Sequence, residues 1–195
     1  MTGTTSSENL FWDSCVVIRY LTDIPPNYVA DIAKFLDEAR AKPPKRRIYI
    51  SSMMVPEVRP QHLKAKKYSD FQALLNDLQG AFTIINPNMN ILMQASRLRG
   101  HQYYPKVMQA NEKTRALSGM DSVHLATCLF VRDVLKVKDV VFHTLDDGKS
   151  KNYEEKAVGL LSYEKYAEHL RGDPDVDAVC SLPRCRPEHP SKPFV

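Results

Sequence analysis

The sequence predicts an α/β fold in which a mostly parallel central sheet of four to five strands lies between two layers of helices. Short runs of apolar and β-branched residues alternate with longer amphipathic stretches along the 195-residue chain. Helical stretches, rather than two-residue hairpin turns, separate the predicted strands. Parallel strands need crossover connections of roughly a dozen residues or more, usually a helix, so this order favours repeated strand–helix units.

Two strands and their helices account for the first half of the chain. The run NLFWD ends in an acid and leads straight into SCVVIRYLT, which has helical spacing, so a strand-to-helix junction is expected at Asp13 and Ser14. Pro60 is expected to divide the helical stretch that follows the second strand, up to about Gly80, into two helices. The predicted elements are a strand over 9–13, a helix over 14–22, a helix over 27–41 and a strand over 46–51.

The second half of the chain continues this alternation. Asn88 is expected to cap the helix that follows the third strand, and Pro105 is expected to break the chain before a second helical piece that starts near 106. The segment 120–136 is apolar nearly all round, which is typical of a helix buried against a sheet. The predicted elements are strands over 81–86 and 138–147, helices over 88–100 and 120–136, and a short strand with a closing helix within 157–170.

The composition changes at Gly172 and divides the chain into two parts. Residues 1–171 have the length and apolar content of one globular domain. Residues 172–195 hold five of the 13 prolines and almost no apolar periodicity. They are therefore expected to form a Pro-rich C-terminal tail, extended or docking, rather than part of the core.

Charge and cysteine content exclude several classes of protein. Twenty-seven Lys and Arg against 23 Asp and Glu give a net charge of +4, which is too small for nucleic-acid binding driven by bulk charge alone. No apolar run approaches the roughly 20 residues that cross a bilayer, and the N-terminal segment does not resemble a signal peptide, so a cytoplasmic protein without a membrane partner is expected. Four cysteines are too few for a disulfide scaffold, and Cys180, Cys185 and His189 lack a fourth zinc ligand.

Four isolated acids form the most informative pattern in the sequence. Asp13 ends the first strand, Glu57 opens the helical region after the second, Asp121 opens the most apolar helix, and Asp146 ends the fourth strand. Each lies in apolar sequence, where an unpaired carboxylate is costly to bury. If the four meet at the carboxyl edge of one parallel sheet, their repulsion calls for a cation, and oxygen ligands without nitrogen or sulfur suit Mg²⁺ or Mn²⁺.

Each acid taken alone has a simpler explanation. Asp13 fits a helix cap, Glu57 fits an ion pair with Arg59, and Asp121 fits a first-turn acid that the helix dipole favours. Four acids at equivalent ends of four elements are harder to explain as independent caps. The joint pattern therefore predicts one common site.

The four segments that hold these acids, DSCVVIRYL, ISSMMVPEV, SGMDSVHLATCL and VVFHTLDD, resemble in order and spacing the four sequence blocks of PIN-domain ribonucleases. That family includes the VapC-like toxins of bacterial toxin–antitoxin pairs. The resemblance covers about residues 9–165, and the third block is its most specific part. It implies a three-layer α/β/α PIN-like nuclease domain over 1–171, metal-dependent endoribonuclease activity on RNA phosphodiester bonds, a homodimer and, for a toxin, an antitoxin protein as partner.

The resemblance also assigns roles to the acids. It implies that Asp13, Glu57, Asp121 and Asp146 hold Mg²⁺ or Mn²⁺, with Asp146 at the Thr-x-Asp position of the fourth block and Asp147 as the fallback. A bound metal lowers the pKa of a water and stabilises charge on the scissile phosphate. In-line attack would then leave a 5′-phosphate and a 3′-hydroxyl.

Three polar neighbours are expected to support these acids. Ser14 and Thr144 lie beside the acids of the first and fourth blocks, where they either orient a carboxylate or the phosphate, or cap local backbone. His124 follows Asp121 by three residues and therefore lies on the same face of the helix. We expect His124 to support the site rather than to bind the metal, because nitrogen ligands are unusual for Mg²⁺.

RNA requires cations near the acids to offset the repulsion of its phosphates. Two basic groups follow elements that leave the carboxyl edge of the sheet, and we expect the RNA to run along them: Lys64, Lys66 and Lys67, and Arg97 with Arg99. The basic segment KPPKRR precedes the second strand and is expected at the opposite edge. The alternative function is a non-catalytic RNA-binding or assembly module on a PIN-like fold, which the full acid set disfavours.

Overall fold

A five-stranded sheet forms the centre of the computed structural model, which describes residues 9–105, 114–148 and 157–190. The strands are β1 (Asn9–Trp12), β2 (Arg47–Ser51), β3 (Phe82–Ile85), β4 (Val140–His143) and β5 (Arg184–Cys185). Their order across the sheet is β3-β2-β1-β4-β5, and each neighbouring pair is parallel. The predicted α/β class and parallel sheet of four to five strands are confirmed.

Eight α-helices connect and flank these strands in the described part of the chain. They are α1 (Ser14–Thr22), α2 (Val29–Arg40), α3 (Pro60–Ala65), α4 (Phe71–Asp77), α5 (Met89–Gly100), α6 (Gly119–Asp133), α7 (Tyr163–Ala167) and α8 (Pro174–Cys180). Short 3₁₀ turns lie at 52–54, 160–162 and 168–170. Over the ranges that the structure describes, none of the helices is long and apolar enough to span a bilayer.

The helices cover both faces of the sheet. Successive side chains of a strand point to opposite faces, so Leu10 and Trp12 of β1 pack against α1 to α4, whereas Phe11 packs on the side of α5 to α8. Phe11 stacks on Phe142 of β4 with ring centroids 5.5 Å apart. The arrangement is a three-layer α/β/α fold with a hydrophobic core on each side of the sheet.

Side-chain caps fix the starts of α5 and α6, two of the helices that carry expected site residues. Asn88 accepts a hydrogen bond from the N–H of Ile91 at 3.1 Å and begins α5, as predicted. Ser118 accepts from the N–H of Asp121 at 3.0 Å and begins α6. Residues 122–129 of α6 are buried without interruption, which confirms the expectation of a helix packed into the core.

Three element boundaries differ from the prediction or fall outside the described ranges. Pro60 begins α3 instead of separating two helices, because the first turn of a helix does not need the N–H that proline lacks. The short strand expected near 157 is a single parallel bridge between Ala116 and Ala157. The helical piece expected from 106 lies outside the described residues.

The tail expected to be extended or docking, rather than part of the core, is folded into the core over residues 174–185. These residues form α8 and β5, and the side chains of Val176, Val179 and Leu182 are at most 2% exposed in the core beneath the sheet. Asp173 accepts hydrogen bonds from backbone N–H groups at the start of α8. The composition misled the prediction because one short helix and a two-residue strand bury apolar side chains without a periodic pattern long enough to detect.

Candidate carboxylate site

The candidate site lies where the strand order reverses. β1 is central, with β2 on one side and β4 on the other. Ligands of open parallel sheets bind outside the carboxyl ends of the strands at such a reversal. Asp13 is the first residue beyond β1, and its N–H donates to the carbonyl of His143, the last residue of β4, at 3.0 Å. The backbone therefore holds Asp13 at this edge.

A cavity of about 680 Å³, here called the carboxylate cavity, lies at this edge. Four separate parts of the fold supply an acid to its wall: Asp13 after β1, Glu57 after β2, Asp121 in α6 and Asp146 after β4. Asp147 lines a different cavity, because successive residues that leave a strand point to opposite sides. The four acids selected from the sequence thus line one space, and the fallback acid does not.

Short polar side chains hold the carboxylate of Asp13 in place through hydrogen bonds. Asp13 is 2% exposed, and it accepts hydrogen bonds from Thr144 Oγ1 at 2.7 Å and from Cys15 Sγ at 3.0 Å. The Oγ of Ser14 is 3.4 Å from the same carboxylate. This carboxylate makes no hydrogen bond that caps α1. The helix-cap explanation for Asp13 therefore fails, and Thr144 orients the acid by joining the ends of β1 and β4.

The electrostatic cost of assembling the acids is largest at Asp121. Burial raises the pKa of Asp121, the charge of Asp13 and a smaller effect of Asp146 raise it further, and together they bring it to about 7. The hydrogen bond with Ser118 and the nearby His124 act in the opposite direction but do not compensate. A cation placed among these acids would relieve the repulsion that the fold imposes.

Backbone N–H groups fix the carboxylate of Asp146. Its Oδ1 accepts from the N–H of Gly148 at 2.9 Å, and its Oδ2 accepts from the N–H of Leu160 at 3.2 Å. Its own N–H donates to Thr144 Oγ1 at 3.1 Å. Burial raises the pKa of Asp146, these backbone hydrogen bonds lower it, and the charges of neighbouring acids leave it above its ordinary value.

Two glycines shape the loop that presents Asp146. Gly148 has a φ of +72°, in the left-handed region that favours glycine. A Cβ on Gly159 would lie 2.5 Å from backbone atoms of Asp147 and Gly148, a separation that atoms do not adopt. The close approach of these two backbone segments therefore requires glycine at 159.

Glu57 pairs with His124 of α6, whereas the sequence taken alone suggested Arg59 as its partner. The distance from Glu57 Oε2 to His124 Nε2 is 2.8 Å, and the imidazole is fully buried. Burial lowers the pKa of His124, but the hydrogen bond with Glu57 and the charges of Asp13, Glu57 and Asp121 outweigh it, so the pKa is raised. His124 therefore holds Glu57 in place through a hydrogen bond that uses Nε2 of the imidazole.

The donor set suits a hard divalent cation, because all four acids offer carboxylate oxygens. Within residues 9–105, 114–148 and 157–190, however, no three acidic, imidazole or thiol side chains form a cluster compact enough to hold an ion. The acids would have to move closer to share one. Glu57, whose side chain is 27% exposed, has the space for such a movement.

The two arginines expected along the RNA path differ in their surroundings. Arg99 lines the carboxylate cavity, and in the described part of the chain it forms no hydrogen bond or ion pair. Arg97, on the same helix α5, pairs with Asp175 of α8 at 2.5 Å. The structure therefore brings Arg99 to the acids and places Arg97 at a helix contact.

The three lysines expected along the RNA path lie outside the carboxylate cavity. Lys66 pairs with Asp23 at 2.7 Å and lies over the ring of Tyr20. Lys64 and Lys67 are exposed at the end of α3. Only a substrate that extends beyond the cavity would reach these lysines.

Cys15 is a site residue that the sequence reasoning missed. Its thiol donates to Asp13, accepts from the N–H of Leu145 at 3.1 Å and lies 3.4 Å from Thr144 Oγ1. Burial, and then the charge of Asp13, raise the pKa of this thiol well above its ordinary value. The available signal was its position in the first turn of α1, two residues after an acid that ends a strand.

Comparison with known proteins does not assign the chain to a family. No protein-family model matches it, and no curated protein matches it significantly.

Proposed function

We propose that the chain is a metal-dependent endoribonuclease that hydrolyses phosphodiester bonds of RNA at the carboxylate cavity. The observation that carries the proposal is that four acids from four separate elements line one cavity, where burial and mutual repulsion raise the pKa of Asp121 to about 7. Acids gathered at this electrostatic cost are typical of a site where a bound cation offsets their repulsion. The sequence resemblance to PIN-domain ribonucleases supports the same function.

The residues of the chain have distinct tasks in this proposal. Asp13, Glu57, Asp121 and Asp146 would hold Mg²⁺ or Mn²⁺, which when bound supplies an activated water and charge stabilisation for phosphodiester hydrolysis. The hydrogen bonds to Asp13 and Asp146 hold these two carboxylates in place at the wall of the cavity.

Two further side chains complete the proposed machinery. His124 holds Glu57, whose side chain is 27% exposed, in the direction of the cavity. Arg99 supplies positive charge beside the acids, where a phosphate of the substrate would otherwise be repelled. We also propose that the chain forms a homodimer and, if it is a cytoplasmic toxin, binds an antitoxin protein.

A nuclease assay on a panel of RNAs with Mg²⁺, Mn²⁺ or EDTA tests this function. The wild-type chain should cleave with either metal and not with EDTA, and Asp121→Asn should lower the rate by orders of magnitude while preserving the shape of the side chain. Asp147→Asn is the matched control for Asp146→Asn, because Asp147 lies outside the cavity. Equal cleavage by wild type and Asp121→Asn would assign the activity to a contaminant and refute the proposal.

A non-catalytic RNA-binding or assembly module is the second candidate. It is favoured by one observation, that no compact three-ligand cluster is present among the described residues. Under this alternative the chain binds RNA without cleaving it in Mg²⁺ or Mn²⁺. RNA binding without cleavage by the wild type, with no bound inhibitor detected by mass spectrometry, would favour it.

A further inference from the structure

The carboxylate cavity also has an apolar lining that the proposed chemistry does not use. Ile18 of α1, Ile24 in the loop after α1 and Leu145 in the loop after β4 all line the cavity and are here called the apolar wall. Ile24 is 77% exposed, and Ile18 and Leu145 are half-buried. A ligand that enters the cavity can therefore contact all three side chains.

Helix α1 extends this lining away from the acids. Side chains three or four residues apart lie on one face of a helix, and Cys15, Ile18 and Thr22 have this spacing and all line the cavity. At 1.5 Å per residue, the stretch from Cys15 to Thr22 covers about 10 Å. The cavity is therefore longer than a metal site requires, and its lining continues along α1 to Ile24.

Hydrogen bonds fix the backbone on both sides of Ile24. The guanidinium of Arg19 donates to the carbonyls of Pro25 at 2.8 Å and Asn27 at 3.2 Å. The N–H of Asp23 donates to the carbonyl of Arg19 at 3.0 Å. The loop thus holds an isoleucine in solvent at the cavity instead of burying it, and a contact surface that is already ordered loses less entropy when it binds.

The acids and the apolar wall suit different parts of one RNA nucleotide. A phosphate fits beside Arg99 and a cation held by the acids, and the ribose is polar. The base has flat faces that pack against aromatic and apolar side chains in nucleic-acid enzymes. These faces are accessible when the nucleotide is unpaired and unstacked, so such a base is the part of RNA that fits the apolar wall.

We propose that the apolar wall binds the base of a nucleotide next to the scissile phosphate. Ile18, Ile24 and Leu145 are then specificity-determining residues, which select a chain that carries bases over a bare sugar-phosphate chain. Because the ligand is taken to be RNA, this inference rests on the proposed function. It adds a base-binding subsite to the site of cleavage.

Fluorescence anisotropy on the full chain tests the subsite with two labelled probes, oligouridine and an abasic RNA of the same length and charge, in EDTA at low salt. The wild type should bind oligouridine about fivefold more tightly than the abasic chain or better. Ile24→Ser should weaken oligouridine binding about fivefold, because a base would bury part of the isoleucine side chain, and should leave binding of the abasic chain unchanged.

Two control variants separate base contact from a general effect on the protein. Ile84→Ser makes the same substitution at an isoleucine that is 43% exposed on β3 and does not line the cavity, and it should leave both affinities unchanged. Ile24→Val keeps most of the apolar surface and should bind oligouridine within about twofold of the wild type. Because Ile24 is exposed, all three variants should melt like the wild type.

The outcomes for the subsite and for the nuclease function are distinguishable. Equal affinity of the wild type for the two probes, no binding of oligouridine, or an equal loss of both probes in Ile24→Ser would overturn the subsite and leave the cleavage test untouched. If the wild type cleaves no RNA, the nuclease function fails and the binding data alone decide the subsite. If it cleaves, one abasic nucleotide beside the mapped cleavage site should slow the wild type, and Ile24→Ser should add little further loss on that RNA.

Discussion

At the scale of single residues, Arg97 and Arg99 show how differently two similar side chains of one helix are used. Arg97 and Gln94 hold Asp175, so that α5 and α8 are joined at the surface. Arg99 lies beside the four acids and is not engaged by any described residue. A guanidinium in this position can approach a phosphate that the acids alone would repel.

We predict that Arg99→Met weakens RNA binding and lowers by about one the slope of log affinity against log salt concentration. Arg97→Met is the matched control, because it removes the same charge from the same helix but breaks a contact within the fold. It should leave the salt slope nearly unchanged. Fluorescence anisotropy with a labelled RNA in EDTA measures both variants, and equal slopes for the two would contradict the role given to Arg99.

At the scale of elements, the loop after β4 depends on backbone packing that only glycine permits. Asp146 receives two N–H groups from this loop and from the 3₁₀ turn at 160–162, and Gly148 and Gly159 allow the two segments to touch. The position of the fourth acid therefore depends on residues that carry no side chain.

Gly159→Ala should displace this loop and lower metal-dependent RNA cleavage at least tenfold, because its Cβ would collide with backbone at 2.5 Å. Gly100→Ala is the control: a Cβ there meets nothing within 4 Å, so cleavage should be unchanged. Melting curves and cleavage rates of both variants provide the measurement. Wild-type rates in Gly159→Ala would show that the position of Asp146 does not matter for the reaction.

The segment from α8 to β5, which includes Leu182, also has a direct consequence because it belongs to the core. Leu182→Ala should lower the free energy of unfolding by about 2–5 kcal/mol, since the side chain is 2% exposed. Leu135→Ala should change it by no more than about 0.5 kcal/mol, because Leu135 is 47% exposed. Removal of residues 172–195 should abolish cooperative unfolding. Urea denaturation measures all three, and a truncated chain with wild-type stability would contradict the structure.

At the scale of the whole molecule, the carboxylate cavity makes stability depend on metal and on pH. The pKa of Asp121 is about 7 in the folded chain and about 3.9 in an unfolded one. The folded state therefore holds this proton more tightly, and the stabilisation that results is full below about pH 4 and is lost as pH rises through about 7.

We accordingly predict that millimolar Mg²⁺ or Mn²⁺ raises the melting temperature, and more so at pH 8 than at pH 5.5, where a proton competes at Asp121. Metal present at 100 times its Kd adds about 2.7 kcal/mol, a rise of several degrees for a chain of this length. Asp121→Asn should abolish the metal effect and make the metal-free protein less sensitive to pH. A metal response that Asp121→Asn leaves intact would exclude Asp121 as a ligand.

The sequence by itself determined the layers and most of the elements. Strands 9–13, 46–51 and 81–86, the helices beginning after Asp13 and Asn88, and the buried helix over 120–136 follow from local apolar periodicity and, at Asn88, from capping. Both depend on neighbours in the chain. The four acids could also be identified from the sequence, because carboxylates are seldom isolated in apolar segments at strand and helix ends unless they have a structural or functional role. The strand direction followed from the long helical connections.

Only the tertiary structure decided which side chains meet across the sheet. Three examples depend on contacts between elements distant in sequence: the pairing of His124 with Glu57, the hydrogen bond between Cys15 and Leu145, and the ion pair with Asp175 that separates Arg97 from Arg99. The same holds for α8 and β5, whose few apolar side chains are buried by other elements rather than by a pattern of their own. Local propensity carries no information about such partners, because burial is a property of the assembled layers.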